Sequence, residues 1–435
     1  MHILLINPYW QYPYSKGEYA YNRIWPPLCL LNCAALLEKE GHRVTILDAH
    51  ARRIAPNKIN SFLGKGYNKI FITSSSLDKW QCPNIDTSFF LETVHYVRQS
   101  NDEVYIMGYH GTIEPERIMD LTKVKAIIRG EPEYPVLEIC RGGDLSKIKS
   151  ITFKEGGKII NTPQGGLLDL RKLPVPAYHL LDFSRYFYEI LGGNFSLFET
   201  ARGCKFTCRF CNKVMYAEGL RVKSKEQVLQ EVTTAIEEHN VRTGYFIDLD
   251  FLANRPIVEG LCEYLIKKQY RFRWTCQTRL DLLDAEILEK MKAAGCKIIH
   301  AGIETGLQES LDYLNKNITL DKIDKAIKLC RRFGIKILAF VLFGLPNETN
   351  SDRERILKFV KKVNPDFVSF HRIVPYKGTW FYQNNFTVDS NTIDKFIRRA
   401  FVKYYLNPFY IFRLNPRMIL WGIRLFYGRI RTLRQ

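Results

Sequence analysis

Thr200–Lys213 reads TARGCKFTCRFCNK, and its three cysteines, Cys204, Cys208 and Cys211, stand in a C-x3-C-x2-C run. Thiolates are soft ligands, and closely spaced sets of them select zinc or iron–sulfur clusters. An iron–sulfur cube takes one cysteine per iron, so three in one loop leave one iron open to an outside ligand. A zinc site completes a tetrahedron of protein ligands. The next His or Cys after Cys211 is His239, well beyond the spacing of a zinc knuckle. Three unrelated buried thiols are the remaining alternative.

The chain around this loop has 435 residues, which predicts two or three domains. A composition of 46% hydrophobic and 25% charged residues is that of a globular protein and excludes a disordered chain. Eleven cysteines are dispersed apart from the central three. The opening MHILLINPYW reads as a strand, not an export signal. The remaining thiols are therefore expected to be reduced and the protein cytoplasmic. No apolar run reaches the roughly 18 residues that would span a bilayer. The net charge of +19 attracts nucleic acid, anionic lipid and acidic substrates alike. Its distribution is more informative: Phe396–Gln435 holds nine Lys or Arg and no Asp or Glu, interleaved with aromatics. That pattern fits a basic helix on the protein's own surface or at the inner face of a membrane.

Upstream of the loop, strands are predicted at 2–7, 43–47, 69–73, 103–107 and 126–129, with helices at 28–40 and 89–98 between them. Alternation of this kind predicts a doubly wound parallel sheet. Ligands of such sheets bind beyond the strand carboxyl ends, which here carry Asn7, Asp48, Ser74–Leu77, Gly108–Gly111 and Arg129–Glu131. A connector follows, with a Gly156-Gly157 hairpin and a Pro-punctuated stretch, Leu173–Tyr178. From Phe195 six more strands alternate with helices, at 195–199, 243–247, 271–277, 297–301, 336–342 and 367–373, and predict an open, partial α/β barrel. The cysteine loop follows its first strand, at the end where such barrels hold their active sites.

The cysteine run, with Phe210 just before its last member, is similar to the signature of the radical S-adenosylmethionine (SAM) superfamily. Later strand ends resemble that family's motifs in order: Asp248-Leu249-Asp250-Phe251 with Asn254, WTCQTR at 274–279, GIETG at 302–306, FGLPNET at 343–349 and YKGT at 376–379. The resemblance implies a [4Fe-4S] cluster on Cys204, Cys208 and Cys211, whose open iron chelates SAM. It implies SAM contacts from Phe210, Asp248, Gln277, Arg279, Glu304 and Lys316. Three departures stand out: Leu249 replaces an acidic residue, Asn347 a glycine and Lys377 a proline.

The first half resembles the cobalamin-binding domain that precedes many radical SAM enzymes. Pro26-Pro27, Gly108–Gly111 and the RGEPE of 129–133 carry the likeness. It implies corrinoid contacts from Asn7, Ser75, Leu77, Gly108, Gly111, Gly130 and Glu131. Pro8-Tyr9-Trp10 stands where that family places a cobalt-ligating histidine motif. Asp48-Ala49-His50 follows the second strand instead, with Arg53 in the glycine position. His50 is read as a surface or capping residue, and cobalamin as bound without a protein histidine below it, near Trp80 and Cys82.

Together these features predict a Rossmann-like cobalamin domain (1–141), a connector (142–190), a radical SAM core (191–382) and a helical, basic C-terminal region (383–435). The expected activity is methylation of an unactivated carbon or phosphorus in a lipid or secondary metabolite, through a 5′-deoxyadenosyl radical and methylcobalamin. Cyclisation or another rearrangement is the alternative. A tRNA-modifying enzyme ranks below both, since its extra cluster cysteines are missing, and nucleic acid is not an expected partner. An external electron donor of the flavodoxin or ferredoxin type is implied. Tyr376 and His371 are candidates for the catalytic proton acceptor.

Overall fold

The computed structural model describes residues 1–10, 24–64, 66–75, 86–215 and 219–406. Leu77, Trp80, Cys82 and the tail beyond 406 lie outside them. β1 (His2–Asn7), β2 (Arg43–Asp48), β3 (Lys69–Thr73), β4 (Val104–Met107) and β5 (Ala126–Ile128) pair in parallel, in the order β2-β1-β3-β4-β5. β1 shows why the array is covered twice. Ile3 and Leu5 join one apolar cluster with the helices Leu28–Lys39 and Glu133–Cys140. Leu4 and Ile6 join another with Ser88–Arg98 and Pro115–Thr122. Strands buried on both faces read as continuous apolar runs, and the covering helices supply the crossovers. The order reverses between β1 and β3, which puts the ligand crevice outside their carboxyl ends.

The Gly156-Gly157 hairpin was expected in the connector, but it extends this first sheet. β6 (Ile151–Glu155) pairs antiparallel with β5, and β7 (Lys158–Asn161) with β6. The hairpin satisfies the backbone groups that β5 would otherwise leave bare as an edge. The sheet thus continues past residue 141, to Asn161.

β8 (Phe187–Tyr188) and β9 (Gly192–Gly193) form a short antiparallel pair. β10 (Phe195–Phe198) then leads into a second hairpin, β11 (Ala201–Cys204) with β12 (Gly219–Val222). The alternating pattern gave no sign of this hairpin, because β11 is charged, Gly-containing and only four residues long. β13 (Thr243–Phe246), β14 (Arg273–Gln277), β15 (Cys296–Glu304), β16 (Lys336–Phe343) and β17 (Phe367–Arg372) follow. With β10 they make a six-stranded parallel sheet in sequence order, open between β10 and β17. The intervening helices start on side-chain caps: Ser224, Asp284 and Thr319 each accept a backbone N–H of the first turn, and Thr349 with Asp352 forms a capping box. Such caps satisfy the orphan donors of a helix start.

Side chains alternate along β16. Ile337, Ala339, Val341 and Phe343 are buried, while Leu338, Phe340 and Leu342 are half-buried on the inner face. Lower on that face Tyr188, Tyr245 and His300 close together with Trp25, and all four are buried. His300 Nε2 lies 3.0 Å from the Tyr188 hydroxyl and its Nδ1 3.1 Å from that of Tyr245.

The helix Ser390–Tyr405 contains the start of the basic tail. It buries Ile393, Phe396, Ile397, Ala400 and Tyr404, with the Phe396 ring 5.0 Å from that of Phe343. This first part of the tail therefore packs on the second sheet, with Arg399 and Lys403 paired to Glu354. Among the described residues no helix is long and apolar enough to cross a membrane.

Candidate functional site

β11 brings Cys204 to the carboxyl end of the second sheet, and the loop after it carries Cys208 and Cys211. None of the three is in a disulfide, and all are partly exposed. The loop is clamped from the far side: Arg209 N–H donates to Leu314 O (3.0 Å) and Asn315 Nδ2 to Thr207 Oγ1 (2.7 Å). The Arg209 guanidinium also lies 4.9 Å from the Tyr313 ring and 4.5 Å from that of Trp380. Burial pushes the pKa of each thiol up, that of Cys211 to about 12, with repulsion from Cys208 and Cys204 added; Lys213 and Lys316 pull in the opposite direction. Without a cation these thiols keep their protons, and metal binding would displace them.

Among the described residues no three His, Cys, Asp or Glu side chains converge as ligands of a single ion. A cube gives each thiolate its own iron, so three cysteines on one loop can serve it without meeting at a single ion, as zinc ligands must. The donor set fits an iron–sulfur cluster.

The strand ends around the loop carry the other expected residues. Asp248 accepts the Thr200 hydroxyl (2.7 Å) and N–H (3.0 Å), tying β13 to the start of the cysteine hairpin. Burial raises its pKa to about 7, against the pull of those bonds. Asp250 Oδ1 accepts the Thr278 hydroxyl (2.7 Å), while its Oδ2 is buried without a partner. Arg279 donates twice to Asp281 at 2.9 Å and stacks 4.0 Å from the Phe206 ring, with Nη1 buried and unpaired. Gln277 reaches Leu249 O at 3.4 Å. Two unsatisfied polar atoms of opposite kind beside the thiols are what a zwitterionic ligand such as SAM would need.

Glu304 and Lys316 pair at 2.7 Å, both nearly buried, and the ammonium lies 5.7 Å from the Phe210 ring. Burial opposes the charge on Lys316, but Glu304 overcomes it and holds that pKa above its ordinary value. Glu304 sits at φ +62°, in the left-handed region that a side-chain-bearing residue adopts at a cost. A Cβ on Gly302 would lie 1.8 Å from Glu304 Oε1, so the pair occupies the space that this glycine leaves.

The three sequence departures have structural reasons. Asn347 also adopts φ +62°, where Asn is the usual substitute for Gly. Lys377 bonds Glu114 of the first half at 2.9 Å. Leu249 packs with Tyr109, Ile113, Val214 and Met215 in an apolar contact between the two halves.

That contact brings the two strand-end regions together. Asn212, next to Cys211, donates to the Tyr109 hydroxyl at 2.8 Å, and Tyr109 belongs to the Gly108–Gly111 turn. Gly108 sits at φ +97° and Gly130 at φ +75°. Gly111 N–H donates to Ser74 Oγ (3.2 Å) and Gly130 N–H to Thr112 Oγ1 (2.9 Å). A Cβ on Gly130 would meet nothing within 4 Å, whereas one on Gly111 would lie 2.9 Å from Ile127. Strand ends of small residues, open at Gly130, suit a corrinoid.

Other expected residues have different company. Asn7 is buried behind the crevice, donating to Asp48 (3.0 Å) and accepting from Trp10 Nε1 (3.4 Å). His50 is buried rather than on the surface, and its Nδ1 accepts the Trp10 N–H at 3.2 Å. Glu131 is held by Arg202 and Arg221 of the cysteine hairpin at 2.8–3.0 Å. Ser75 continues β3 and is buried. His371 opens onto the inner face, its ring 5.9 Å from that of Phe340, and the surrounding walls hold its pKa below the ordinary histidine value. Tyr376 is half-buried, its carbonyl accepting the Thr379 hydroxyl. Sequence reasoning missed Arg202 and Tyr109; both stand inside quoted motifs, TARGC and GYHG, but neither carries a ligand-type side chain.

Residues 198–360 match the family model described as the radical SAM superfamily. Over 419 residues the chain is 28% identical to an uncharacterized methyltransferase of Pyrococcus horikoshii, covering 88% of each. Over 402 residues it is 27% identical to the anaerobic magnesium-protoporphyrin IX monomethyl ester cyclase of Rubrivivax gelatinosus, covering 88% of this chain and 70% of the cyclase. Among solved structures, the radical SAM methyltransferase TsrM from Kitasatospora setae, with cobalamin and a [4Fe-4S] cluster bound, superposes with a TM-score of 0.68 at 17% identity, covering 88% of this chain and 74% of TsrM. That likeness establishes the fold.

Proposed function

On the premise that residues 198–360 form a radical SAM domain, we propose that this chain is a cobalamin-dependent radical SAM methyltransferase. We infer that its target is an unactivated carbon or phosphorus of a lipid or secondary metabolite. The observation that carries the reading is the bond from Asn212 to Tyr109, which joins the cysteine loop to the glycine turn of the first sheet. Two cofactor sites held this close can serve one substrate.

When bound, the cluster and SAM supply a carbon-centred radical, and the corrinoid supplies a methyl group. The protein's part is to bind, orient and exclude competing reactions. In this reading Cys204, Cys208 and Cys211 hold the cluster, with 1–141 as the corrinoid domain and 191–382 as an open (βα)6 core. Arg279 Nη1 and Asp250 Oδ2 take the charged ends of SAM, with Gln277, Glu304, Lys316 and Phe210 around it and Asp248 bracing the loop. Ser75, Gly108, Gly111 and Gly130 admit the corrinoid, Leu77 completing that set beyond the described residues, with Asn7 and Glu131 as supports behind it. His371, neutral because its pKa is lowered, can accept a proton at the inner face; Tyr376 is the other candidate. Electrons come from an external flavodoxin- or ferredoxin-type donor, and the tail beyond 406 is a candidate contact with an anionic membrane surface.

Purified protein reconstituted under anaerobic conditions should bind cobalamin, visible in its absorption spectrum, and give a product heavier than its substrate by one methyl. Failure to take up corrinoid would favour the second reading, a cyclisation, which the 27% identity to the Rubrivivax cyclase supports. Liposome binding that is unchanged on deletion of 407–435 would remove the membrane contact.

A further inference from the structure

Arg202 lies two residues before Cys204, and its side chain is 0% exposed. Its guanidinium meets three carboxylates: Glu131 at 3.0 Å, Glu133 at 2.6 Å and Glu199 at 2.9 Å. Glu199 follows β10. Glu131 and Glu133 come from the other sheet's side, Glu131 directly after Gly130 in the turn that follows β5 and Glu133 as the first residue of the helix Glu133–Cys140. Arg221, which faces Arg202 across the β11–β12 ladder, takes both oxygens of Glu131 at 2.8 and 2.9 Å. Two like charges opposite each other would push the hairpin apart, so the hairpin depends on carboxylates supplied by the first sheet. Lys223 adds Glu231 at 2.8 Å, and Asn32, from the helix Leu28–Lys39, donates to Glu199 at 3.2 Å.

Four carboxylates against three cations, most of them buried, make a poor source of stability, because desolvation offsets much of the attraction. The planar fork of arginine instead fixes direction. We propose that Arg202 is a positioning residue that sets the distance between the cysteine loop and the Gly130 turn, and so between the two cofactors. The proposal rests on the functional reading above for its consequence, but its geometry can be tested without cofactors.

The test compares the full chain with Arg202→Lys, which keeps the charge but loses the fork, and with the milder Glu133→Gln. Hydrogen exchange of the cofactor-free proteins should quicken about tenfold or more at 129–133 and at 201–204 together, with 243–246 unchanged. After reconstitution, iron per chain should match wild type while cobalamin binds about tenfold more weakly, and SAM cleavage should run in excess over methyl transfer. Quickened exchange confined to 201–204, or unaltered cobalamin affinity in both variants, would overturn the proposal and leave Arg202 a local hairpin residue. If Arg202→Lys does not fold, Glu133→Gln decides by the same readings. Wild type that takes up no iron or cobalamin would sink the functional reading, while the paired exchange at 129–133 and 201–204 would still judge the coupling.

Discussion

At the carboxyl end of the first sheet the chain presents backbone: Gly108, Gly111 and Gly130 with the short side chains of Ser74 and Thr112 behind them. At the carboxyl end of the second it presents side chains: three thiols, the Glu304–Lys316 pair, and the unpaired Asp250 Oδ2 and Arg279 Nη1. The first region admits a large ligand by leaving space, the second holds a small one by offering charge. The two should therefore fail in different ways when altered.

The largest effect is expected from replacing Cys204, Cys208 and Cys211 with Ala. Iron should fall from about four per chain to none while cobalamin uptake persists; joint loss of both would mean that the two ends are not separately built. Gly302→Ala should come next. Its Cβ would displace Glu304 from Lys316, forfeiting a charge-assisted bond of about 1.5–3 kcal/mol. SAM binding measured by calorimetry should weaken tenfold or more, with iron content kept. Gly111→Ala is the mirror experiment. Crowding Ile127 costs about 1–3 kcal/mol, and thermal unfolding with cobalamin titration should report the loss while SAM binding stays unchanged.

The smallest effect separates two ionisable groups by sign. Asp248 has its folded pKa raised to about 7, so the folded state binds more protons and its contribution falls as pH rises from about 4 to 7. His371 is lowered, so the unfolded state protonates first, and stability is lost as pH falls below about 6.5. Asp248→Asn should flatten the first slope and His371→Phe the second in denaturant titrations across that range. A variant that leaves its slope unchanged would remove that residue from the account.

The same contrast explains what could be read in the sequence. The second region was legible because thiols are a rare residue type at fixed spacing, Glu304 and Lys316 follow them in recognisable order, and all six core strands appear close to their expected limits. The first was legible only as order and texture, since glycine and serine carry little chemistry of their own. Long-range pairing was hidden in both. Nothing in RGEPE says that Glu131 turns away from the crevice to Arg202 and Arg221, and a short charged strand such as β11 gives no periodicity. The hairpin of β6 and β7 was found, but a neighbour's bare edge decided where it docks.

Trp25, Tyr188, Tyr245 and His300 fill the lower inner face of the second sheet, each no more than 4% exposed. A face plugged there is not an entrance, whereas the strand ends that carry the thiols meet the first sheet through Asn212 and Tyr109. On the proposed function, substrate and product would pass by those same strand ends, and the order of arrival and departure would become part of the chemistry. Trp25→Ala, by removing the ring packed on Tyr188 and Tyr245, should loosen that order, readable as a changed order of product release.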